Sequence, residues 1–342
     1  MSGHITTVRG DIDPAALGFC QPHEHLFIAP GPAADRYPQL LIDDICRTET
    51  DAIAFRDAGG SAIVDAQPLF TGRDAEALLR ISEDCGIHVV ASTGFHKLFY
   101  YGEGNPFLDQ SEDEMAGVFT GEIDEGMYAA PFYPVNGSTA SGITAWTDLF
   151  VSGAMRRTEI RAGVIKAALE PDFTDLHSKL FGAVARVSAV TGTAILIHVD
   201  EGAGPLRLAR FLDARGVRPE RTIYCHLDRA AGDISLHKEL ARGGAYLEYD
   251  TVARPKYHTQ EDEVRVIMEM LEAGFADRIL MSLDVTRMRL RGYGGAPGLE
   301  YMKTDFIPFL QSSGADAAHI QKIFVENPAR ALARIVKPLP HI

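Results

Sequence analysis

Short β-branched runs recur along the chain, each followed by turn residues and then by apolar positions at helical spacing. The runs predict strands at Gly18–Leu26, Ser61–Ala66, His88–Thr93, Ala162–Leu169, Ala194–His198, Thr222–His226, Ala245–Glu248 and Ile279–Asp284. Between them, Val264, Ile267, Met268, Leu271 and Phe275 follow the i, i+3, i+4 rule over Glu263–Phe275. Leu176, Leu180, Phe181, Val184 and Val187 do the same over Asp175–Val190. Near the end, Asn327-Pro328 reads as an N-cap followed by proline at the first helical position. Strands alternating with helices imply a mostly parallel sheet with right-handed crossovers. Eight such units favour a closed (β/α)8 TIM barrel over a doubly wound open sheet. No G-x-G-x-x-G follows the first strand, so the best signal for a dinucleotide-binding sheet is missing.

One connection breaks the rhythm. The stretch of about 97–160 is too long for a single helix and reads as an insertion in an otherwise single domain spanning 1–342. Ser111–Gly126 is predicted helical, with Met115, Val118 and Phe119 on one side. Tyr128–Trp146 is rich in Gly, Pro, Tyr and Thr and contains the only tryptophan; it is either a loop over the substrate or a surface insertion.

Composition narrows the partners. The 342 residues are 46% hydrophobic and 23% charged, as in an ordinary globular protein. No stretch approaches the roughly 18 to 20 unbroken apolar residues of a membrane span. Met1 to Asp13 is polar and lacks the apolar core of a signal peptide, so a cytoplasmic location is expected. A formal net charge of −14 argues against nucleic acid or an anionic membrane as partner. Cys20, Cys46, Cys85 and Cys225 are scattered, which argues against a disulfide framework or a cysteine-zinc knuckle.

The chemistry sits at the predicted strand ends. In a strand, positions i and i+2 share a face, so His23 and His25 can present two imidazoles to one ion, with Glu24 turned away. Alone, H-x-H is a weak signal. However, Ala194–Ile197 runs into His198, Thr222–Cys225 into His226, and Ile279–Leu283 into Asp284. In a (β/α)8 barrel these C-terminal strand ends converge on one point. Any one of them could merely mark where a buried strand meets solvent; the coincidence is harder to explain that way. The same parity predicts that Cys225 faces away from the barrel interior, as a packing residue. Of the other histidines, only His96, just after a strand end, is a candidate pocket residue.

Lys166 lies within the otherwise apolar strand Ala162–Leu169. A buried ammonium needs a partner or a changed charge. A neutral lysine amine can take up carbon dioxide to give a carbamate, an anion with two oxygens that can bridge two cations. A plain lysine–carboxylate pair is the alternative for this residue taken singly.

Together, His23-x-His25, Lys166 in Arg-Ala-Gly-Val-Ile-Lys, His198, His226 and Asp284 resemble the phosphotriesterase family of the amidohydrolase superfamily. Asn327-Pro328-Ala329-Arg330 fits that family's C-terminal end, and the similarity runs through nearly the whole chain. The resemblance implies two divalent cations at the C-terminal face of the barrel. His23, His25 and Asp284 would hold the more buried one, His198 and His226 the more exposed one, and carboxylated Lys166 would bridge them. Zinc is the first expectation, and the ligand set also suits manganese, cobalt and iron. Paired cations lower the pKa of water between them, and Asp284 is placed as the base. The resemblance also allows a homodimer; the residues themselves leave oligomeric state open.

Two loops at the expected barrel mouth bear on the substrate. Arg287, Arg289 and Arg291 follow strand eight beside a glycine-rich turn, and Arg254 and Lys256 follow strand seven. Guanidinium groups bind phosphate or carboxylate bidentately, so the cluster points to an anionic substrate; surface ion pairs are the alternative. This portion is similar to the branch of the family that hydrolyses phosphorylated sugar lactones, in which Lys256 and Arg287 match phosphate-contacting places. A tyrosine expected three residues beyond Arg287 is Leu290 here, with Tyr293 as a substitute. The expected activity is the opening of an anionic or phosphorylated sugar lactone. The alternatives are phosphotriesterase or acyl-homoserine lactonase activity, and a barrel that binds a ligand without turnover.

Overall fold

The structure, a computed structural model, describes residues 3–102, 104–130, 148–230 and 234–335. Eight parallel strands run consecutively: β3 (Cys20–Glu24), β4 (Ala62–Asp65), β5 (His88–Gly94), β6 (Val164–Leu169), β7 (Ile195–Val199), β8 (Thr222–Cys225), β9 (Tyr246–Tyr249) and β10 (Ile279–Met281). All eight match predicted strands. A small antiparallel hairpin, β1 (Ile5–Thr7) with β2 (Gly10–Ile12), precedes them and is not apparent in the sequence pattern, because each arm has only three residues.

Along each strand, side chains alternate between two apolar layers. Val164, Leu196, Ile223 and Leu280 fill the barrel interior, together with Ile5, Leu17 and Leu332. Ile165, Ile195, Ile197, Leu247 and Ile279 face outward and pack with the helices. Runs buried on both faces read as continuously hydrophobic, which is why these strands are legible.

The last and first strands meet without a ladder of paired residues. Their seam is closed by Glu24, whose two carboxylate oxygens accept the backbone N–H groups of Leu283 at 2.7 Å and Val285 at 2.8 Å. The Asp284 N–H donates to the His23 carbonyl at 3.1 Å beside them. Glu24 is turned away from the neighbouring imidazoles, as parity predicts, yet it is wholly buried.

The helices begin at recognisable caps. Thr174 and Thr259 each accept a backbone N–H at the starts of Asp175–Thr191 and Gln260–Glu272. Asn327 differs from expectation. It has helical backbone angles and continues a helical run from Ala317, through a π turn at Lys322–Glu326. The wider turn accommodates Pro328, which has no N–H to give. The Asn327 side chain instead donates to the carbonyls of Ala276 and Ile279 at 2.8 and 2.7 Å. Within the long connection between β5 and β6, Glu112–Asp124 is helical, as predicted. Arg73 and Glu122, both fully buried, pin that helix to the barrel through paired contacts of 2.8 Å. Residues 131–147, most of the Tyr128–Trp146 stretch, lie outside the described residues. No described helix is long and apolar enough to cross a membrane.

Candidate metal centre

Strand ends bring His23, His25, Lys166, His198, His226 and Asp284 together. His23 and His25 leave β3 on one side, their ring centroids 5.7 Å apart. Asp284 Oδ1 lies 3.4 Å from His25 Nε2 and 3.8 Å from His23 Nε2. Lys166 points inward from β6, with Nζ 3.0 Å from His23 Nε2. On the other side, His226 Nε2 lies 2.7 Å from His198 Nδ1, and the His23 and His226 rings stand 4.9 Å apart. Gly94 makes the Lys166 position possible: its φ is +96°, and a Cβ there would fall 2.0 Å from the Lys166 carbonyl oxygen.

His226 and Asp284 adopt left-handed backbone conformations, with φ of 64° and 48°. Such angles are costly for residues with a Cβ and gather at functional sites. At His226 the turn has a direct consequence. Ile223 is interior and Tyr224 exterior, so strand parity puts Cys225 inside, and the left-handed turn brings His226 back to the cavity as well. Cys225 therefore does not face away, as alternation counted back from His226 predicts. Its Sγ lies 3.9 Å from Glu248 Oε2, inside the barrel beneath the imidazoles.

Burial governs the charge states. It pushes His23 down to about 3, with the neighbouring Lys166 charge adding to the effect, and His226 down to about 4. It holds His198 well below its ordinary value and lowers Lys166. The rings of His23, His198 and His226 are thus held neutral, each with a free electron pair on one nitrogen. For Asp284, burial favours the acid, but Arg254, the His25 hydrogen bond and nearby imidazoles outweigh it and hold the carboxyl well below its usual range. Neutral imidazoles packed nitrogen to nitrogen around a carboxylate and a depressed lysine amine are a donor set for divalent cations. His23, His25 and Asp284 offer ligand atoms all within 4.8 Å of one another.

Two residues of this site escaped the sequence reading. Asp250 follows β9 directly, fully buried, with one oxygen 2.6 Å from His226 Nδ1 and the other 3.1 Å from His23 Nδ1. A single carboxylate thus orients one imidazole from each half of the centre. Burial works against its charge, but the facing His226 and His23 hold it well below the ordinary value. Its signal was available: Asp250 directly follows β9, as other candidate ligands follow their strands, although Glu248 within that strand obscures the pattern. Arg229, just past His226, places Nη2 3.2 Å from Asp284 Oδ2, and nothing in its sequence surroundings marked it.

The centre opens into a cavity of about 390 Å³. Arg254 and Lys256 line it, as does His96; Arg254 Nη2 also lies 3.2 Å from Asp284 Oδ2. The loop after the last strand is used otherwise than expected. Arg287 donates to the Leu41 carbonyl at 3.0 Å and pairs with Asp43 at 3.3 Å, outside the cavity lining. Arg289 is buried against the carbonyls of Val252 and Ala253, and Arg291 pairs with Glu300 at 2.8 Å. The Tyr293 hydroxyl exchanges hydrogen bonds with the Asp44 backbone at 2.8 and 2.9 Å, and Leu290 is fully buried. The three arginines hold loops together instead of lining the mouth, because backbone carbonyls and carboxylates of neighbouring loops reach them first.

A parallel barrel with buried His/Asp clusters of this kind at its strand ends defines a metal-dependent hydrolase. The chain belongs to the phosphotriesterase family, whose model matches residues 3–130 and 125–332. It is 30% identical over 338 residues to a protein described as a phospho-furanose lactonase from Mycoplasmopsis synoviae, covering 96% of this chain and 91% of that one. Two solved structures are also similar. An amidohydrolase from Mycoplasma synoviae superposes with a TM-score of 0.87 at 29% identity, over 98% of this chain and 94% of that chain. The lactonase Lmo2620 from Listeria monocytogenes does so with a TM-score of 0.83 at 28% identity, over 98% and 100%.

Proposed function

We propose that the chain opens a lactone ring, a cyclic carboxylic ester, by attack of water, on a substrate that carries an anionic group. The convergence of His23, His25, Lys166, His198, His226 and Asp284 carries this reading. In it, His23, His25, His198, His226, Asp284 and Lys166, the last carboxylated on its amine, would hold two divalent cations. Zinc suits this donor set, as do manganese, cobalt and iron. Bound there, the cations would lower the pKa of water and polarise the carbonyl under attack.

The remaining work falls to the chain. Asp250 fixes the rings of His23 and His226, so the two halves of the centre keep one geometry. Arg229 and Arg254 hold Asp284 Oδ2 toward the cavity. Asp284 takes the proton of the attacking water and returns it to the leaving oxygen as the ring opens. Tyr37, Phe99 and Tyr100 also line the cavity, and their rings limit the water that reaches the carbonyl. The lactonases among the relatives support the ester chemistry.

Steady-state turnover of a lactone panel tests this. The metal-loaded protein is expected to open lactones, and Asp284→Asn to lower kcat about 10²- to 10⁴-fold. Tight lactone binding by wild type without any turnover would contradict the reading.

A further inference from the structure

Two buried carboxylates and an imidazole meet at a second place in the fold, outside the lining of the reaction cavity. Asp228 lies two residues past His226, in the turn Leu227–Ala230 after β8. Glu263 sits in the first turn of the helix Gln260–Glu272, and His258 directly precedes that helix's cap, Thr259. Ligand atoms of the three all lie within 4.8 Å of one another, the same limit met by His23, His25 and Asp284. Asp228 is 0% and Glu263 1% exposed, and the His258 side chain 6%.

The carboxylates are short of donors. Asp228 Oδ2 accepts the Thr251 N–H at 2.5 Å, while its buried Oδ1 has no hydrogen-bond partner. Glu263 Oε1 is likewise buried without a partner, and Oε2 lies 2.9 Å from His258 Nε2. Among the described residues, no lysine or arginine comes within ion-pair range of either carboxylate. One imidazolium cannot balance two buried anions, so the site takes up further positive charge, as a shared proton or as a cation. A proton links two oxygens, whereas a cation engages all three side chains at once. His258 Nδ1 faces the Thr259 carbonyl at 3.0 Å, the outer hydrogen bond of a ligating histidine, and this turns Nε2 toward the carboxylates. The Thr251 hydroxyl, 2.9 Å from the same nitrogen, adds a further oxygen.

We propose that Asp228, His258 and Glu263 bind a divalent transition cation, of the zinc or manganese class, at a structural site separate from the centre at the strand ends. One imidazole with two carboxylates suits such ions. The site closes the loop that carries Arg254 and Lys256: Asp228 holds Thr251 at its start, and His258 stands at its end. The cation therefore ties both ends of that loop to the helix Gln260–Glu272. Without it, His258 is held protonated by Glu263, so binding displaces that proton and this site fills after the centre. The site stands whether or not the centre opens lactones.

Counting bound zinc tests this. Chelator-stripped protein is dialysed at pH 8 against rising zinc, for wild type, Glu263→Gln and Glu261→Gln, an exposed neighbour on the same helix. Wild type is expected to bind one equivalent more than Glu263→Gln, and Glu261→Gln to match wild type. That last equivalent should raise the melting midpoint of wild type without raising turnover, and Glu263→Gln should lack the rise. Circular dichroism reports folding; should Glu263→Gln not fold, His258→Gln is read instead, with affinity for the last equivalent lowered at least about tenfold. Uptake equal to wild type in the folded variant would overturn the proposal and leave the carboxylates sharing a proton. So would an equal loss in Glu261→Gln, the mark of zinc held on the surface.

Discussion

Asp250 shows how one buried side chain can organise a site it need not ligate. One oxygen hydrogen-bonds Nδ1 of His226 and the other lies 3.1 Å from Nδ1 of His23, which turns both Nε2 atoms toward the centre. Asp250→Asn keeps the volume but loses the charge, and an amide cannot accept from both rings. Its affinity for divalent cations is expected to fall about 10- to 100-fold. Titration against a chelator of known strength measures this, with circular dichroism as the check on folding; unchanged affinity would show that the rings orient themselves. His198, His226 and Asp284 were legible at this scale because each ends an apolar strand, His23 and His25 because they alternate, and Lys166 because it interrupts an apolar strand. Cys225 was misread because parity assumes an extended backbone, and the φ of 64° at His226 breaks it. The contacts of Arg287 were not legible for another reason. A guanidinium in a loop reaches whatever oxygen the fold places nearest, and neighbours such as Leu41 and Asp43 are distant in sequence.

Among the elements, the seam between the first and last strands depends on Glu24. Burial pushes its carboxyl up to about 8, against the opposing pull of the Val285 and Leu283 N–H groups. Glu24→Ala strands those two buried donors and should cost roughly 2–4 kcal/mol, read as a lower urea midpoint. A midpoint equal to wild type would mean the seam holds by packing alone. The loop carrying Arg254 and Lys256 is tethered by His258, which faces the Thr259 carbonyl at 3.0 Å and Glu263 at 2.9 Å. Burial disfavours the charged ring, but Glu263 more than offsets it and raises its pKa from 6.5 to about 9. Because the folded value is the higher one, the imidazolium stabilises fully below pH 6.5, and this contribution disappears as pH rises through about 9. The stability difference between wild type and His258→Gln should therefore shrink across that window; a difference that grows with pH would contradict the assignment. The strands themselves were legible because parallel strands buried on both sides are continuous apolar runs. Neither Glu24 as the seam nor the π turn before Pro328 leaves such a trace, since both depend on partners met only in the folded barrel.

For the whole molecule, the order of eight strands gathers residues spread from His23 to Asp284 at one end of the barrel. Lys166 and His23, which the family resemblance implies at one site, lie 3.0 Å apart, and His226 and His198, which strand ends were expected to bring together, lie 2.7 Å apart. The substrate side was less legible, because the cationic cluster depends on loop conformations and not on strand order. An acidic chain with Lys97, Arg229, Arg254 and Lys256 lining one cavity attracts a small anion there while its net charge repels polyanions. The most direct test counts the cations that activity requires. Protein stripped by a chelator is titrated with zinc or manganese while lactone opening is followed. Activity should return in full at two equivalents per chain, and the intact mass of the reconstituted protein should exceed the sequence mass by one carbon dioxide, lost in Lys166→Met. Full activity in the stripped protein, or saturation at a single equivalent, would contradict the account.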